Sequence, residues 1–220
     1  MDEQRVQGER VTTPNHVTNW VHIKGTKRKI AALKRKLART DKHGNIRSFD
    51  FNALIPMPPS LDIVSDTSTD EGMAAFSDHH FREWARDDEW MTRRYGKPIK
   101  TKEELLEHLQ QHGPGTVELG RTALDNIDKY GYSTWYDWCI HNWGTKWNAY
   151  NDGLLHETDH DLYYRFDTAW SSPDPIFDKL EENGFSVDVF WSDEGGPTGE
   201  RGDPWECFDI DTSPRVAVIG

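Results

Sequence analysis

The segment from residue 135 to residue 150 carries four of the chain's ten tryptophans within sixteen residues. Tryptophan is the largest apolar side chain, and its indole N–H needs a hydrogen-bond partner when it is buried. Such a cluster marks either a core or a binding surface. We expect a core, because aromatic side chains are mostly buried wherever they occur. We predict that Trp143 and Trp147 are core residues.

The size and cysteine content of the chain indicate a protein that folds without disulfides. A chain of 220 residues can bury a substantial core, and Cys139 and Cys207 lie far apart without a Cys-x-x-Cys pattern. No apolar segment resembles a signal peptide or a membrane span. We therefore expect a reduced, cytoplasmic protein that does not associate with membranes.

The net charge of −12 is distributed unevenly. Basic residues crowd the segment from Lys24 to Arg39, whereas from Asp152 onward four basic residues stand against a long series of acids. A field of this sign repels nucleic acid and attracts basic protein surfaces. Solubility alone would also account for the charge.

Hydrophobic periodicity predicts alternating strands and helices. Val17, Val21 and Ile23 alternate with Thr18, Trp20 and His22, which indicates a first strand. The further predicted elements are a helix around Ile30, Leu33 and Leu37, a strand over 46–54, helices over about 60–134, a short helix over 135–142, a strand over 146–150 with a turn at 151–153, a strand over 162–170, a helix after Ser172, a strand over 185–191, a Gly-rich loop over 195–202 and a strand over 205–210.

This order predicts an α+β fold, a ferredoxin-like split βαβ sandwich. Right-handed crossovers would place two helices on one face of an antiparallel sheet. We expect residues 1–14 to form a flexible tail. Residues 15–220 would form a single domain with a large helical insertion over about 60–134 and a C-terminal hairpin over about 185–211.

Five short motifs along the chain stand out. They are Asn15 to Asn19, Ala53 to Pro58, Trp138-Cys139, Asn142-Trp-Gly-Thr-Lys-Trp147 and Arg165 to Trp170. With these motifs the chain resembles a family of phage and conjugative-plasmid proteins that have a YubB-type ferredoxin-like domain. The resemblance implies the same fold and an origin in a mobile element, and it implies no catalytic residues.

The run from His156 to His160 matches the zinc-protease signature His-Glu-x-x-His. That chemistry needs a helix, which projects both imidazoles from one face. Here the motif follows Asn-Asp-Gly and precedes a β-rich run, so we expect a hairpin connection with exposed histidines. His79-His80 is expected on a solvated helix face, and Cys139 near His141 is expected to be an inert buried thiol. We predict no catalytic residue, no metal and no cofactor.

The sheet face opposite the helices is a further candidate, because RNA-recognition domains stack bases on aromatic residues there. Trp20, His22 and Phe190 would point to this face. The acidic balance, Asp188 on the same face and the long insertion favour a covered second core. The basic first helix together with this face nevertheless defines an alternative, a nucleic-acid-binding module.

Carboxylates alternate with large aromatic residues near the C-terminus. We predict a partner-binding surface formed by Asp188, Trp191, Asp193, Glu194, Trp205 and Glu206, because acids steer a basic partner while aromatics anchor it. The preferred hypothesis is a non-enzymatic acidic protein that binds and modulates a host protein with a basic surface. The alternatives are the nucleic-acid-binding module and a metallohydrolase at His156 and His160.

Overall fold

The computed structural model describes residues 15–40, 44 and 46–203. The chain forms two compact units: one combines the segment up to Leu54 with the segment from Trp147 onward, and the other spans Ile55–Lys146. The predicted tail over 1–14 and the predicted strand over 205–210 lie outside the described residues. The predicted α+β class with a helical insertion is confirmed.

Strands occupy the first unit. They are β1 (His16–Lys24), β2 (Arg39–Thr40), β3 (Ile46–Arg47), β4 (Tyr150–Glu157), β5 (Asp161–Ala169), β6 (Ser186–Asp193) and β7 (Thr198–Arg201). The helices are α1 (Lys27–Leu37), α2 (Thr67–Ala74), α3 (Asp78–Trp84), α4 (Asp88–Tyr95), α5 (Lys102–His112), α6 (Pro114–Tyr130), α7 (Trp135–Trp143) and α8 (Asp174–Glu182). Short 3-10 turns lie at Phe51–Ala53 and Pro59–Leu61.

The main sheet has the antiparallel order β4-β5-β1-β6-β7. In the central strand, Val21 lies opposite Tyr164 of β5 and Val189 of β6, and all three side chains are buried. Both α1 and α8 cover this face. Ile30 of α1 and Leu162, on the same side of β5, line one cavity, and Arg201 of β7 binds carboxylates of α8. The succession β1, α1, β4, β5, α8, β6 follows the predicted split βαβ order.

The prediction of a strand over 46–54 is wrong beyond β3. A carboxylate oxygen of Asp152 accepts hydrogen bonds from the backbone N–H groups of Ser48 and Phe49, and the Asn148 side chain accepts one from Phe51. Side chains therefore satisfy the donors that a sheet ladder would have used. The irregular backbone places the Phe49 and Phe51 rings against Phe166 in the core.

Two turn predictions in the first unit are also wrong. Asn151-Asp152-Gly153 lies inside β4, where register shifts between Tyr150 and Gly153 and between Leu154 and His156 absorb the irregular residues. The Gly-rich segment over 195–202 was predicted to be a loop, but it contains β7, which pairs with β6. Residues that favour turns are tolerated in β4 because this strand is bulged, and in β7 because it is only four residues long.

The second unit is helical and reaches beyond the predicted insertion to Lys146. Its core contains Met91, Leu105, Leu109 and Val117. No helix in the described part of the chain is long and apolar enough to cross a membrane.

The tryptophan cluster divides between the two units. Trp143 is 3% exposed, and its indole N–H donates to the Ile55 carbonyl at 2.9 Å, so its predicted burial is confirmed. The prediction for Trp147 is wrong, because 37% of this residue is exposed. Gly144 ends α7 in a left-handed conformation, and the chain has crossed into the first unit by Trp147.

Candidate functional site

Among the predicted partner-binding residues that the structure describes, not all lie on one surface. Asp188 and Trp191 point to opposite faces of β6, because side chains alternate along a strand. Asp188 is 7% exposed and lies 3.1 Å from the Lys24 ammonium, and its carboxylate accepts a hydrogen bond from the backbone N–H of Asp203. These contacts indicate a structural role for Asp188.

Two neighbouring predicted residues also have structural contacts. The Trp191 ring lies over Gly199, where an added Cβ would approach it to 2.3 Å. A carboxylate oxygen of Asp193 accepts the Gly195 N–H at 2.6 Å and so closes the β6–β7 turn. Glu194 is exposed. Trp205 and Glu206, the remaining members of the predicted set, lie outside the described residues.

The two histidines of the His-Glu-x-x-His motif do not lie on a helix. His156 belongs to β4, and His160 lies in the β4–β5 turn, where its ring contacts the Gly25 carbonyl. The predicted hairpin connection is confirmed. Among residues 15–40, 44 and 46–203, no three His, Cys, Asp or Glu side chains are arranged to hold a metal ion.

The sheet face away from α1 and α8 carries aromatic residues that contact one another and charged neighbours. Trp20 packs on Phe190, and the Arg165 guanidinium lies 5.9 Å from the Trp20 ring centroid. His22 is buried, stacks on Tyr163 and lies 2.9 Å from an Asp161 carboxylate oxygen. Carboxylates on this face disfavour a phosphate backbone.

A cavity of about 400 Å³ lies in the second unit. Two tryptophans and three carboxylates line it: Trp84, Trp90, Asp70, Glu83 and Asp87. Thr67 and His80 complete the wall. We call it the Trp84–Trp90 cavity.

Short, well-capped helices bring these residues together. The side chains of Asp66, Ser77 and Asp87 cap the N-termini of α2, α3 and α4. The sequence suggests one helical face from Met73 to Trp84, but the helix is interrupted: α2 ends at Ala74 and α3 begins at Asp78. Because of these breaks, residues from the ends of three helices line a single cavity.

The two tryptophans form one corner of the cavity. Their rings meet edge to face, with centroids 5.7 Å apart and planes at 89°, and Tyr95 packs on both of them. The indole N–H of Trp84 is buried and has no hydrogen-bond partner among the residues that the structure describes.

The carboxylates give the cavity a negative character. Partial burial and the neighbouring Asp66 carboxylate raise the pKa of Asp70 above its ordinary value, against an opposing effect from His80. Asp70 has no ion pair with another described residue. Glu83 pairs with Arg86 at 3.0 Å, and Asp87 accepts the backbone N–H of Trp90. A cation would compensate the charge that remains.

The sequence contains a signal for this site that the sequence-based predictions missed. The run from Glu83 to Trp90 contains four carboxylates and two tryptophans. The same combination of residue types led to the prediction of a partner surface over residues 188–206. The signal was missed because the helical insertion was expected to cover the open face of the sheet and was not considered as a binding site.

Comparisons with known proteins add little. No family model and no curated protein matches the chain. The fold is similar to that of protein api92 from Yersinia pseudotuberculosis, assigned to the family model DUF1281, with a TM-score of 0.42 and 12% sequence identity over 85% of this chain and 93% of that one. A likeness this weak supports no step of a functional argument.

Proposed function

We propose that this protein is a non-enzymatic binding protein that recognises a basic surface of a protein partner through the Trp84–Trp90 cavity. The observation that carries the proposal is the joint presence of two tryptophans and three carboxylates around one cavity of about 400 Å³. A cation gains from an aromatic face and from carboxylates at the same time.

The charge of the second unit supports a basic partner. Residues 55–146 contain sixteen acidic and ten basic residues. Acidic surfaces attract basic proteins over distances comparable to the Debye length and so accelerate association. Partial burial and the Asp66 carboxylate raise the pKa of Asp70, and perturbed pKa values concentrate at functional sites.

A host protein as the partner is also part of the proposal. It rests on the resemblance of the sequence to phage and plasmid proteins. An inhibitor or modulator of a host enzyme would use such a surface for binding alone.

Charge reversal tests the proposal. Host proteins retained by the immobilised chain are identified, and the association rate of each purified candidate is then measured. We expect Asp70→Lys to slow association by about tenfold or more at low salt, because steering depends on the summed field. Asp128→Lys is the matched control, since Asp128 is an exposed acid of α6 that does not line the cavity.

A second pair of variants tests the surface predicted from sequence. If reversing Asp193 and Glu194 slows association while Asp70→Lys does not, the partner binds the β6–β7 region and the cavity proposal is wrong. Exposed charges contribute little to stability, so the Glu194 change should leave folding nearly intact.

Nucleic-acid binding by α1 is the second candidate. Arg28, Arg35 and Lys36 are exposed on one face of this helix, and none has an ion pair with another described residue. If α1 binds phosphates, affinity for DNA or RNA will fall steeply as salt rises, and Arg35→Glu will abolish it. Under the preferred proposal, binding to nucleic acid at physiological salt is negligible.

A further inference from the structure

We infer that the Trp84–Trp90 cavity selects an arginine side chain of the partner, a specificity that rests on the proposed function. The walls of the cavity differ in chemistry from one side to the other. Because Trp84 and Trp90 pack edge to face on each other, they supply one aromatic corner, and the remaining walls are polar. A ligand must therefore stack on one side and donate hydrogen bonds on the others.

A guanidinium meets both requirements. It is planar, weakly hydrated and stacks on aromatic rings, and its five N–H donors can reach several acceptors at once. The cavity offers carboxylates on three different residues, Asp70, Glu83 and Asp87. The Asp70 carboxylate accepts no hydrogen bond from another described residue, so both of its oxygens can accept from a ligand.

The two other cationic groups fit these walls less well. A lysine ammonium is compact and strongly hydrated, so it gains less from the aromatic corner. A trimethylated lysine has no N–H donor and is recognised by aromatic cages. In this cavity the methyl groups of trimethyl-lysine would contact the carboxylates, and these carboxylates would receive no hydrogen bond from the ligand.

The same unit already pairs arginine with its aromatic residues. The Arg94 guanidinium lies 5.9 Å from the Trp90 ring centroid and 5.6 Å from that of Tyr95, and it also binds the buried Glu71 carboxylate. Arg121 lies 5.1 Å from the Phe76 ring centroid. Arg94 thus lies within cation–π distance of two aromatic rings and also pairs with a carboxylate, which is the combination inferred for the partner's arginine.

Four short peptides with identical flanking residues test this inference on the full chain. They carry arginine, lysine, trimethyl-lysine or citrulline at the central position, and binding is measured by calorimetry and by NMR shifts of the tryptophan indole N–H groups. We expect arginine to bind tightest, roughly tenfold tighter than lysine. Citrulline keeps the shape of arginine but lacks the charge, so it should not bind measurably.

Conservative variants locate the binding. Asp70→Asn should weaken arginine binding several-fold, whereas Asp128→Asn should not change it. If lysine or trimethyl-lysine binds as tightly as arginine and binding still depends on Asp70, the arginine inference is wrong and the cavity proposal stands. If no peptide binds in a way that depends on Asp70, both are wrong.

Discussion

Trp143 and Trp147 lie four residues apart and differ in burial, so they form a matched pair for a stability measurement. Trp143→Ala removes a buried ring and its hydrogen bond to Ile55, and we expect a loss of about 3–5 kcal/mol of unfolding free energy. Trp147→Ala should cost only about 1–2 kcal/mol, because more than a third of the residue is already exposed. Chemical denaturation of both variants tests this order, and equal losses would contradict it.

The raised pKa of Asp70 leads us to predict that ligand binding depends on pH. Its pKa lies above the usual value because partial burial and Asp66 disfavour the charged form. A cationic ligand needs the ionised carboxylate, so affinity should rise as pH increases through the raised pKa and then level off. Calorimetry with the arginine peptide over the acidic to neutral range measures the curve.

The Asp70→Asn variant separates this carboxylate from its neighbours. The other residues that line the cavity, among them His80, are unchanged in this variant. The variant should therefore keep a smaller pH dependence. Without ligand it should be no less stable than the wild type at neutral pH, because a raised carboxyl pKa means that the folded state loses stability as the group ionises. A curve identical to that of the wild type would show that Asp70 plays no part.

At the level of elements, α2 and α6 of the second unit cross in close contact at Gly72 and Gly120. An added Cβ on Gly72 would lie 2.2 Å from the Thr116 carbonyl oxygen, and one on Gly120 would lie 2.1 Å from the Gly72 backbone. Alanine stabilises an isolated helix by about 1 kcal/mol relative to glycine. We nevertheless expect each Gly→Ala change to destabilise the protein by about 2 kcal/mol or more, because the crossing must open.

Gly115 provides the control for that crossing. It lies near the N-terminus of α6, and a Cβ added to it would meet nothing within 4 Å. Gly115→Ala should be neutral or stabilising by up to about 1 kcal/mol. The unfolding temperatures of Gly72→Ala, Gly120→Ala and Gly115→Ala test this expectation. A Gly72→Ala variant as stable as the wild type would mean that the helices cross at a larger distance.

The elements also show how far the sequence determines the fold. Regular alternation predicted β1, β5 and β6, and helical periodicity predicted α1, α8 and the helices of the insertion. The region from Ser48 to Ala53 could not be predicted, because its backbone N–H groups bond to Asp152 and Asn148, about a hundred residues away. The candidate site was missed for a related reason: the break at Ala75–Ser77, not the periodicity, brings Asp70 and Trp84 to one cavity.

At the level of the whole molecule, the chain divides into one continuous unit, Ile55–Lys146, and one built from two segments. The continuous unit has its own buried core and its own helix caps. The Trp143 indole N–H bonds to the Ile55 carbonyl, so residues near both ends of this unit are in contact. Segments whose ends lie close together are the ones that tolerate insertion into another domain or excision from it.

We therefore expect residues 55–146 to fold when they are expressed alone. The fragment should show a helical circular dichroism spectrum and a cooperative thermal transition, because its core does not need the sheet. It should also bind the arginine peptide with an affinity close to that of the full chain, since all the residues that line the cavity belong to it. A fragment that is folded but does not bind would show that the first unit contributes to the site, and an unfolded fragment would show that the core is incomplete without it.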